Sequence, residues 1–523
     1  MMTNKRRRAP ATLLAAVGAH VFAAALALVL APSCGGGTDG TCTLEDSSNC
    51  LEGQACTMGK DGKLGCFCSP SANTGCEGGK ACLVNAEGEP ACFCAVDTEA
   101  GCDQGRVCEE VPGGYPACFP PVTIGGKVFD LGTGQPIAGA RVVGRDVNFA
   151  AITGVAVSDA AGHYTLTVPT PRTADGKLLE LSVVLRADGQ GYITFPTAPR
   201  VALPVDVTKA TGTPPHLETT ATDIGMVPLA STTGLGTVSG KVLAKVPVGT
   251  LVVAGGAANA GGGVTGIADT DGSYTVFNVP AGSVSVHGYK LGLQLAPASA
   301  NVMAGATAMG VDLADKGKAT AVVSGSIQVV NPGMGSDTSI ILAVDETFDP
   351  NAARGEAPPG LRASGVTSAF TLTGVPDGNY VVLAAFENDF LTRDPDTSIA
   401  GTSIVHITVS GQNLAISDSF KVTGSLDVVS PDAESVVSGT PKFVWKDDSG
   451  ENHYEVRVFD AYGNKVWEKT DVPGVSGNAN VEVDYGGPPL KSGSLYQFRA
   501  VSIKNGGSAL AMTEDLRGVF LYK

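Results

Sequence analysis

Asp269-Thr-Asp271-Gly272-Ser273-Tyr274-Thr-Val-Phe-Asn-Val-Pro280 reads as a tight reversal that delivers an aromatic residue into an alternating strand. Gly after Asp permits the positive φ of the turn, Tyr274 opens the strand as a core residue, and Pro280 ends the ladder. The same pattern stands upstream as Asp159-Ala-Ala-Gly162-His163-Tyr164-Thr-Leu-Thr-Val-Pro169. Downstream, Phe370-Thr-Leu-Thr-Gly-Val-Pro376 keeps the strand but has lost the Asp/Gly turn. Each copy follows a common opening: Ile124-Gly125-Gly126-Lys127-Val128, Val238-Ser239-Gly240-Lys241-Val242, and Val323-Ser324-Gly325-Ser326-Ile327. The middle of the chain is therefore predicted to hold three successive β-sandwich modules.

Composition agrees with an all-β chain. Of 523 residues, 69 are Gly and 31 Pro, while only 16% are charged, a profile of short strands joined by tight turns. The formal charge is −16; removing the basic Lys5, Arg6, Arg7 and Arg8 of the N-terminal leader takes it to −20. Such an acidic chain argues against nucleic acid as a partner, since that binding draws on clustered Lys and Arg. It also disfavours a polybasic membrane patch.

The turn–aromatic–strand motifs, together with Gly139-Ala-Arg-Val142, resemble the carboxypeptidase-regulatory-like family of transthyretin-like β-sandwiches. The resemblance implies sandwiches over 121–230, 236–316 and, more divergently, 319–422. It also implies modules that lie outside the catalytic domains they accompany; some related sandwiches bind carbohydrate. The last hundred residues change character. Pro441-Lys-Phe443-Val-Trp445 and Tyr454-Glu-Val456-Arg-Val458 read as core strands, and Leu490 to Ala500 places Tyr496 as a tyrosine corner. Residues 425–523 resemble a fibronectin-type-III-like sandwich. The expected fold class is thus a disulfide-stapled cysteine-rich array followed by a string of antiparallel β-sandwiches.

That array runs from 42 to 120 with a period of 26. Its unit, C-x7-C-x5-C-x9-C, occurs as Cys42, Cys50, Cys56 and Cys66; as Cys68, Cys76, Cys82 and Cys92; and as Cys94, Cys102, Cys108 and Cys118. Pro120 stands where a fourth unit would begin, so each set of four is expected to close on itself. Units this short cannot bury a sufficient core, and cross-links must supply the stability. A zinc site is the alternative. Zinc ligands usually stand two to four residues apart, and no histidine lies in the array, so no metal and no cofactor are expected. The C-x-C junctions resemble epidermal-growth-factor-like modules, although each unit has four cysteines rather than six. By that resemblance the first cysteine pairs with the third and the second with the fourth.

The thirteenth cysteine, Cys34, ends a leader with a basic start, an uncharged run from Ala11 to Ala31, and small residues before the break. Residues 1–33 read as a signal peptide. Leu30-Ala31-Pro32-Ser33-Cys34 resembles a bacterial lipobox, which implies lipidation of Cys34, a tether over 34–41, and a protein anchored at the outer membrane or cell surface. An uncleaved anchor and free secretion are the alternatives.

No H-E-x-x-H, G-x-S-x-G or P-loop occurs. His163 aligns with Ser273 as a turn residue, Asp269 and Asp271 lack the far acidic ligand of a calcium loop, and Glu346/Asp349 and Asp394/Asp396 read as solvated. Trp445 is expected in a core. Trp467, near a strand end, is the candidate platform for a sugar, and Phe348, Phe386 and Phe390 remain unplaced. The chain is read as non-catalytic: a surface binding, adhesion or scaffold protein whose partner is a surface polysaccharide or a protein. The alternatives are a surface-polymer hydrolase and a structural spacer.

Overall fold

In the computed structural model, residues 42–523 are described except for 45–46, 61, 99, 198–199, 257–261, 331–336, 351–353, 388–393, 396–403 and 477–478. Cys34 with its leader and tether, Phe390 and Asp396 lie outside the described residues. The described chain is all-β, its only helical pieces being short 3-10 turns. It falls into two compact units: residues 42–76 with 81–92, and residues 77–80 with 93–523.

The smaller unit contains the first two cysteine repeats. Each is a two-stranded hairpin, Ala55–Met58 with Leu64–Phe67 and Ala81–Val84 with Pro90–Phe93. The bonds are Cys42–Cys56, Cys50–Cys66, Cys68–Cys82 and Cys76–Cys92. Cys56 and Cys66 face each other across the first hairpin but do not bond to each other. Each instead reaches back to the segment before the hairpin, so the two bridges clamp that segment to the strands. The period also governs polar contacts. Ser47 Oγ accepts from Cys56 N at 3.0 Å, and one repeat later Asn73 Oδ1 accepts from Cys82 N at 2.8 Å.

The third repeat belongs to the larger unit. Its bridges, Cys94–Cys108 and Cys102–Cys118, keep the same pattern. The three repeats share one spacing, but this one is built onto the first sandwich. The buried Glu109 accepts from Thr170 N at 2.6 Å, and Arg172 donates to Pro120 O at 2.6 Å while lying over the Phe119 ring.

Each of the next three modules is a pair of sheets. In the first, Val122–Asp130 is central to one sheet, with His163–Val168 on one side. The other sheet has the order Val205–Asp206, Ser182–Asp188, Arg141–Arg145, Ala156–Val157. Pairing is antiparallel except for the closing strands. His216–Glu218 and Ile224–Met226 lie parallel to Val122–Asp130, and Leu414–Thr423 lies parallel to Ala321–Val330 in the third sandwich. A strand that returns from the opposite sheet to its module's first strand enters in that strand's own direction. The stretch Thr211–Pro215 is the exposed turn before one of these closing strands.

The repeated glycine has a packing reason. Tyr164 stands opposite Gly126, and Tyr274 opposite Gly240. Each phenol donates to a backbone carbonyl of the closing segment, Tyr164 to Thr222 O at 2.6 Å and Tyr274 to Val311 O. A Cβ at Gly126 or Gly240 would collide with that same carbonyl. A second device, not read from sequence, fixes the closing strand: Asp223 Oδ1 accepts from Lys127 N at 3.0 Å, and Asp312 Oδ1 accepts from Lys241 N at 2.9 Å. In the third module Phe370 takes the aromatic place opposite Gly325 and has no hydroxyl to give.

The fourth sandwich closes over Phe443, Trp445, Tyr454, Phe498 and Phe520, all buried. Tyr496 Oη accepts from Lys491 N at 2.9 Å, completing the tyrosine corner. Its core draws only on residues between 426 and 522. The core of the third sandwich, by contrast, is continuous with Val143 and Ala151 of the first and with Leu251, Val253, Ile267 and Tyr289 of the second. Phe348 and Phe386, unplaced from sequence, are buried.

Candidate functional site

A cleft of about 480 Å³ opens inside the larger unit where all four sandwiches contribute walls. The charged lining comes from Arg145, Asp188 and Arg200 of the first sandwich, Asp349, Arg354 and Glu356 of the third, and Arg499 and Asp515 of the fourth. The second supplies Val264, Thr265, Phe277 and Asn278.

Two unusual backbone positions shape this cleft. Asn278 has φ 59°, and its side chain accepts from Gly191 N at 2.8 Å while donating to Tyr192 O at 2.9 Å and Gly189 O at 3.1 Å. One amide thereby fastens the first sandwich's 189–192 loop to the second sandwich. Phe149 has φ 64°, a conformation costly for a bulky side chain, and its ring lies between the Arg145 and Arg354 guanidinium groups, 5.2 and 5.1 Å away. Asp146 helps hold that turn by accepting from Asn148 N at 2.8 Å and Ala150 N at 3.2 Å.

Behind the wall lies Arg186, fully buried. It donates twice to Asp188, at 2.9 and 3.0 Å, to Glu356 Oε2 at 2.5 Å and to Thr265 Oγ1 at 2.8 Å. Burial alone would lower its pKa, but Asp188 and Glu356 outweigh that and hold it above its ordinary value. One guanidinium thus binds three sandwiches. Across the cleft Asp515 pairs with both Arg354 and Arg499.

Arg145 differs from its neighbours. It is 5% exposed, its Nε is buried with no hydrogen-bond partner among the described residues, and Glu356 comes no nearer than 3.7 Å. Burial pushes its pKa down to about 10, only partly offset by Glu356, so it remains charged at neutral pH.

The residues singled out from sequence lie elsewhere. Trp445 is fully buried. Trp467 is half-buried, its ring 5.2 Å from Tyr485 and 6.1 Å from Phe443, so part of its surface is already used in the fourth core. Asp269 forms the expected reversal with Gly272 at φ 81°, and its carboxylate also accepts from Val155 N of the first sandwich at 3.0 Å. Asp349, read as solvated, is exposed at the cleft, whereas Glu346 is half-buried and its carbonyl accepts from Gly263 N of the second sandwich at 2.8 Å. His163 is exposed on its strand.

Two hydroxyl–imidazole contacts occur, Ser285 with His287 at 2.7 Å and Thr123 with His216 at 2.9 Å. The first pair is two residues apart on one strand face and the second is cross-strand, so register alone brings them together. Close sulfur triplets such as Cys42, Cys50 and Cys66 are likewise accounted for by disulfides, whereas a metal would need thiolates.

No protein-family model matches the chain, and no curated protein matches it. Among solved structures, the Bacillus anthracis TIE protein is similar at 12% identity, covering 73% of this chain and 65% of that one, with TM-score 0.14. The major pilin subunit of Bacillus cereus is similar at 9% identity over 58% of this chain and 100% of that one, TM-score 0.14. A DUF3823 family protein from Bacteroides ovatus matches at 13% identity over 38% of this chain and 97% of that one, TM-score 0.17. Scores this low carry no argument, and the reading below rests on the chain's own residues. No helix among the described residues is long and apolar enough to cross a membrane.

Proposed function

We propose that this chain is an exported surface lipoprotein, anchored through Cys34 at the outer membrane or cell surface, with a non-catalytic binding, adhesion or scaffold role. Six intra-repeat disulfides support an oxidising compartment, where such bonds persist. Cys34 falls outside the three sets of four, and lipidation accounts for a cysteine left over in an exported chain. Surface polysaccharide and surface protein are the partners in this reading.

The observation that favours binding over a passive spacer is the cleft at the meeting of the four sandwiches. Burying several guanidinium groups is expensive, and apolar packing would join the modules at least as well. A spacer gains nothing from Arg145, a nearly buried charge whose Nε has no hydrogen-bond partner among the described residues.

The test is retention of isolated surface polymers by a chain lacking residues 1–34, together with the intact mass of the mature wild-type N-terminus. We expect retention, and a mature protein that begins at Cys34 with added acyl mass and partitions into detergent. Two or more acyl chains hold a protein stably, whereas one anchors it only marginally. An N-terminal Cys34 without lipid mass means plain secretion, retention of residues 1–33 means an uncleaved anchor, and failure to retain any polymer leaves the spacer.

A further inference from the structure

We infer that the four-sandwich cleft is a binding site for an apolar carboxylic acid, with Arg145 holding the carboxylate. This rests on the binding reading above and names the chemistry of that site.

The carboxylates near Arg145 are committed elsewhere. Asp188 accepts from Arg186 through both oxygens and from Thr194 Oγ1 at 2.8 Å. Glu356 Oε2 accepts from Arg186 Nη1 at 2.5 Å, which leaves it 3.7 Å from Arg145 Nη1. The Arg145 guanidinium is therefore a planar fork of donors, nine-tenths buried and stacked on Phe149, on the wall of an open cleft. A buried donor without an acceptor is costly, and a charged one more so.

Charge gives the sign of the ligand. The lining holds four guanidinium groups, Arg145, Arg200, Arg354 and Arg499, and four carboxylates, but two of those carboxylates, Asp188 and Glu356, are taken by Arg186 behind the wall. Arg354 and Arg499 pair with Asp515 and Arg200 donates to Gly225 O, which leaves Arg145 as the lining guanidinium placed to take an anion. A planar fork matches a carboxylate in bidentate geometry better than a point charge would.

The walls give the body of the ligand. Tyr192, Ile193, Leu229, Leu235, Val264 and Phe277 line the remainder. Nearby hydroxyls are occupied: Tyr192 Oη donates to Asp130, and Thr347 Oγ1 to Val344 O. A cleft of about 480 Å³ that sets an apolar wall beside the buried Arg145 guanidinium suits an acid with a ring or short acyl body. The same chemistry is offered by a free aromatic acid or by the C-terminal carboxylate of a peptide ending in an apolar residue.

The probe is 3-phenylpropionate, read as the shift in melting temperature and as heat of binding on the full-length protein. 3-Phenylpropanol, which lacks the charge, and acetate, which lacks the body, are the comparisons. We expect a saturable upward shift with phenylpropionate alone. Arg145→Met should weaken binding at least about tenfold while the unliganded protein melts at the same temperature or higher, since a buried, unbonded charge has been removed. Ile193→Trp, which narrows the cleft without touching the arginines, should weaken binding equally. A short peptide ending in phenylalanine, with its C-terminus free or amidated, separates the sources: a free-acid peptide that outbinds phenylpropionate assigns the site to chain ends, and one that does not bind assigns it to small acids. Equal shifts with phenylpropionate and phenylpropanol, an undiminished shift in both variants, or no shift at all would overturn the assignment. Polymer retention with no phenylpropionate shift would overturn this assignment alone, whereas a phenylpropionate shift without polymer retention would overturn only the surface-binding role.

Discussion

The first two cysteine repeats and the fourth sandwich meet the same requirement, a fixed fold, by opposite means. In each 26-residue repeat two bridges enclose sequence separations of 14 and 16 residues around a two-stranded hairpin, and few side chains beyond the cystines are buried. In the fourth sandwich an aromatic cluster does the work with no covalent link: Phe443 lies 4.8 Å from Phe498, and Trp445 meets Tyr454 edge-on at 5.4 Å. The cystine region should therefore respond to reductant and hardly to truncation of any one apolar side chain, and the sandwich should do the reverse.

The largest effect is expected at Trp445, whose indole is fully buried. In a 425–523 fragment, whose core draws on no other module, Trp445→Ala should cost about 3–5 kcal/mol as a large-to-small core change. Its Nε1 has no hydrogen-bond partner among the described residues, so Trp445→Phe sacrifices only packing and should cost markedly less. Denaturant unfolding of the two variants measures both. A loss below about 1 kcal/mol for the alanine variant would contradict the burial.

Next comes the cystine side of the comparison. Removing Cys76–Cys92 as a paired serine substitution should cost that repeat about 3 kcal/mol, from a loop of 16 residues. Peptide mapping of the unreduced wild type should recover only bridges within a repeat. The fourth sandwich should melt unchanged in the same variant, and a lowered transition there would mean that the two regions are not separately stabilised.

What could be read from the sequence follows from the same contrast. The cystine sets and the turn–aromatic–strand motifs are local and periodic, so the disulfide framework and the strand-rich modules were legible. Tyr164 and Tyr274 were legible as core residues because each opens an alternating strand after its turn. The cleft was not legible. Arg145, Asn278, Glu356 and Asp515 come from four modules, and no local pattern distinguishes them from surface residues. Glu109 resembles any solvated acid in the array until Thr170 is brought against it. The core that joins the first three sandwiches escaped for a similar reason: Val143 and Ala151 alternate like ordinary strand residues, and only packing shows that they also serve the third module.

A smaller effect separates the tyrosine-locked sandwiches from the third. Tyr274→Phe removes the donor to Val311 O inside a buried interface and should cost about 1–2 kcal/mol. Tyr164→Phe should behave alike through Thr222 O. The third module already carries Phe370 and relies on the long parallel pairing of Ala321–Val330 with Leu414–Thr423. Hydrogen exchange of the closing strands should show Leu313–Lys318 loosened in Tyr274→Phe and Leu414–Thr423 untouched; equal loosening of both would remove the distinction.

The smallest effect concerns pH and again sets sandwich against cystine, because disulfides do not titrate. The Ser273 hydroxyl and backbone N–H, and after them the Lys241 ammonium, hold the Asp271 carboxyl down to about 2. Its folded-state pKa lies below the ordinary value of about 4, so its contribution is present above that value and disappears as pH falls through about 2. Asp271 is more than half exposed, and solvent screening keeps the contribution well under about 1 kcal/mol. Asp271→Asn keeps an oxygen that can accept from Ser273 N but discards the charge. Melting temperatures followed from pH 5 downward should show the variant slightly less stable at the start and converging on wild type near the acid end, with the cystine unit indifferent throughout. A gap that stays constant with pH would assign the role of Asp271 to turn geometry alone, leaving Lys241 and the carboxylate charge without a part in the hairpin.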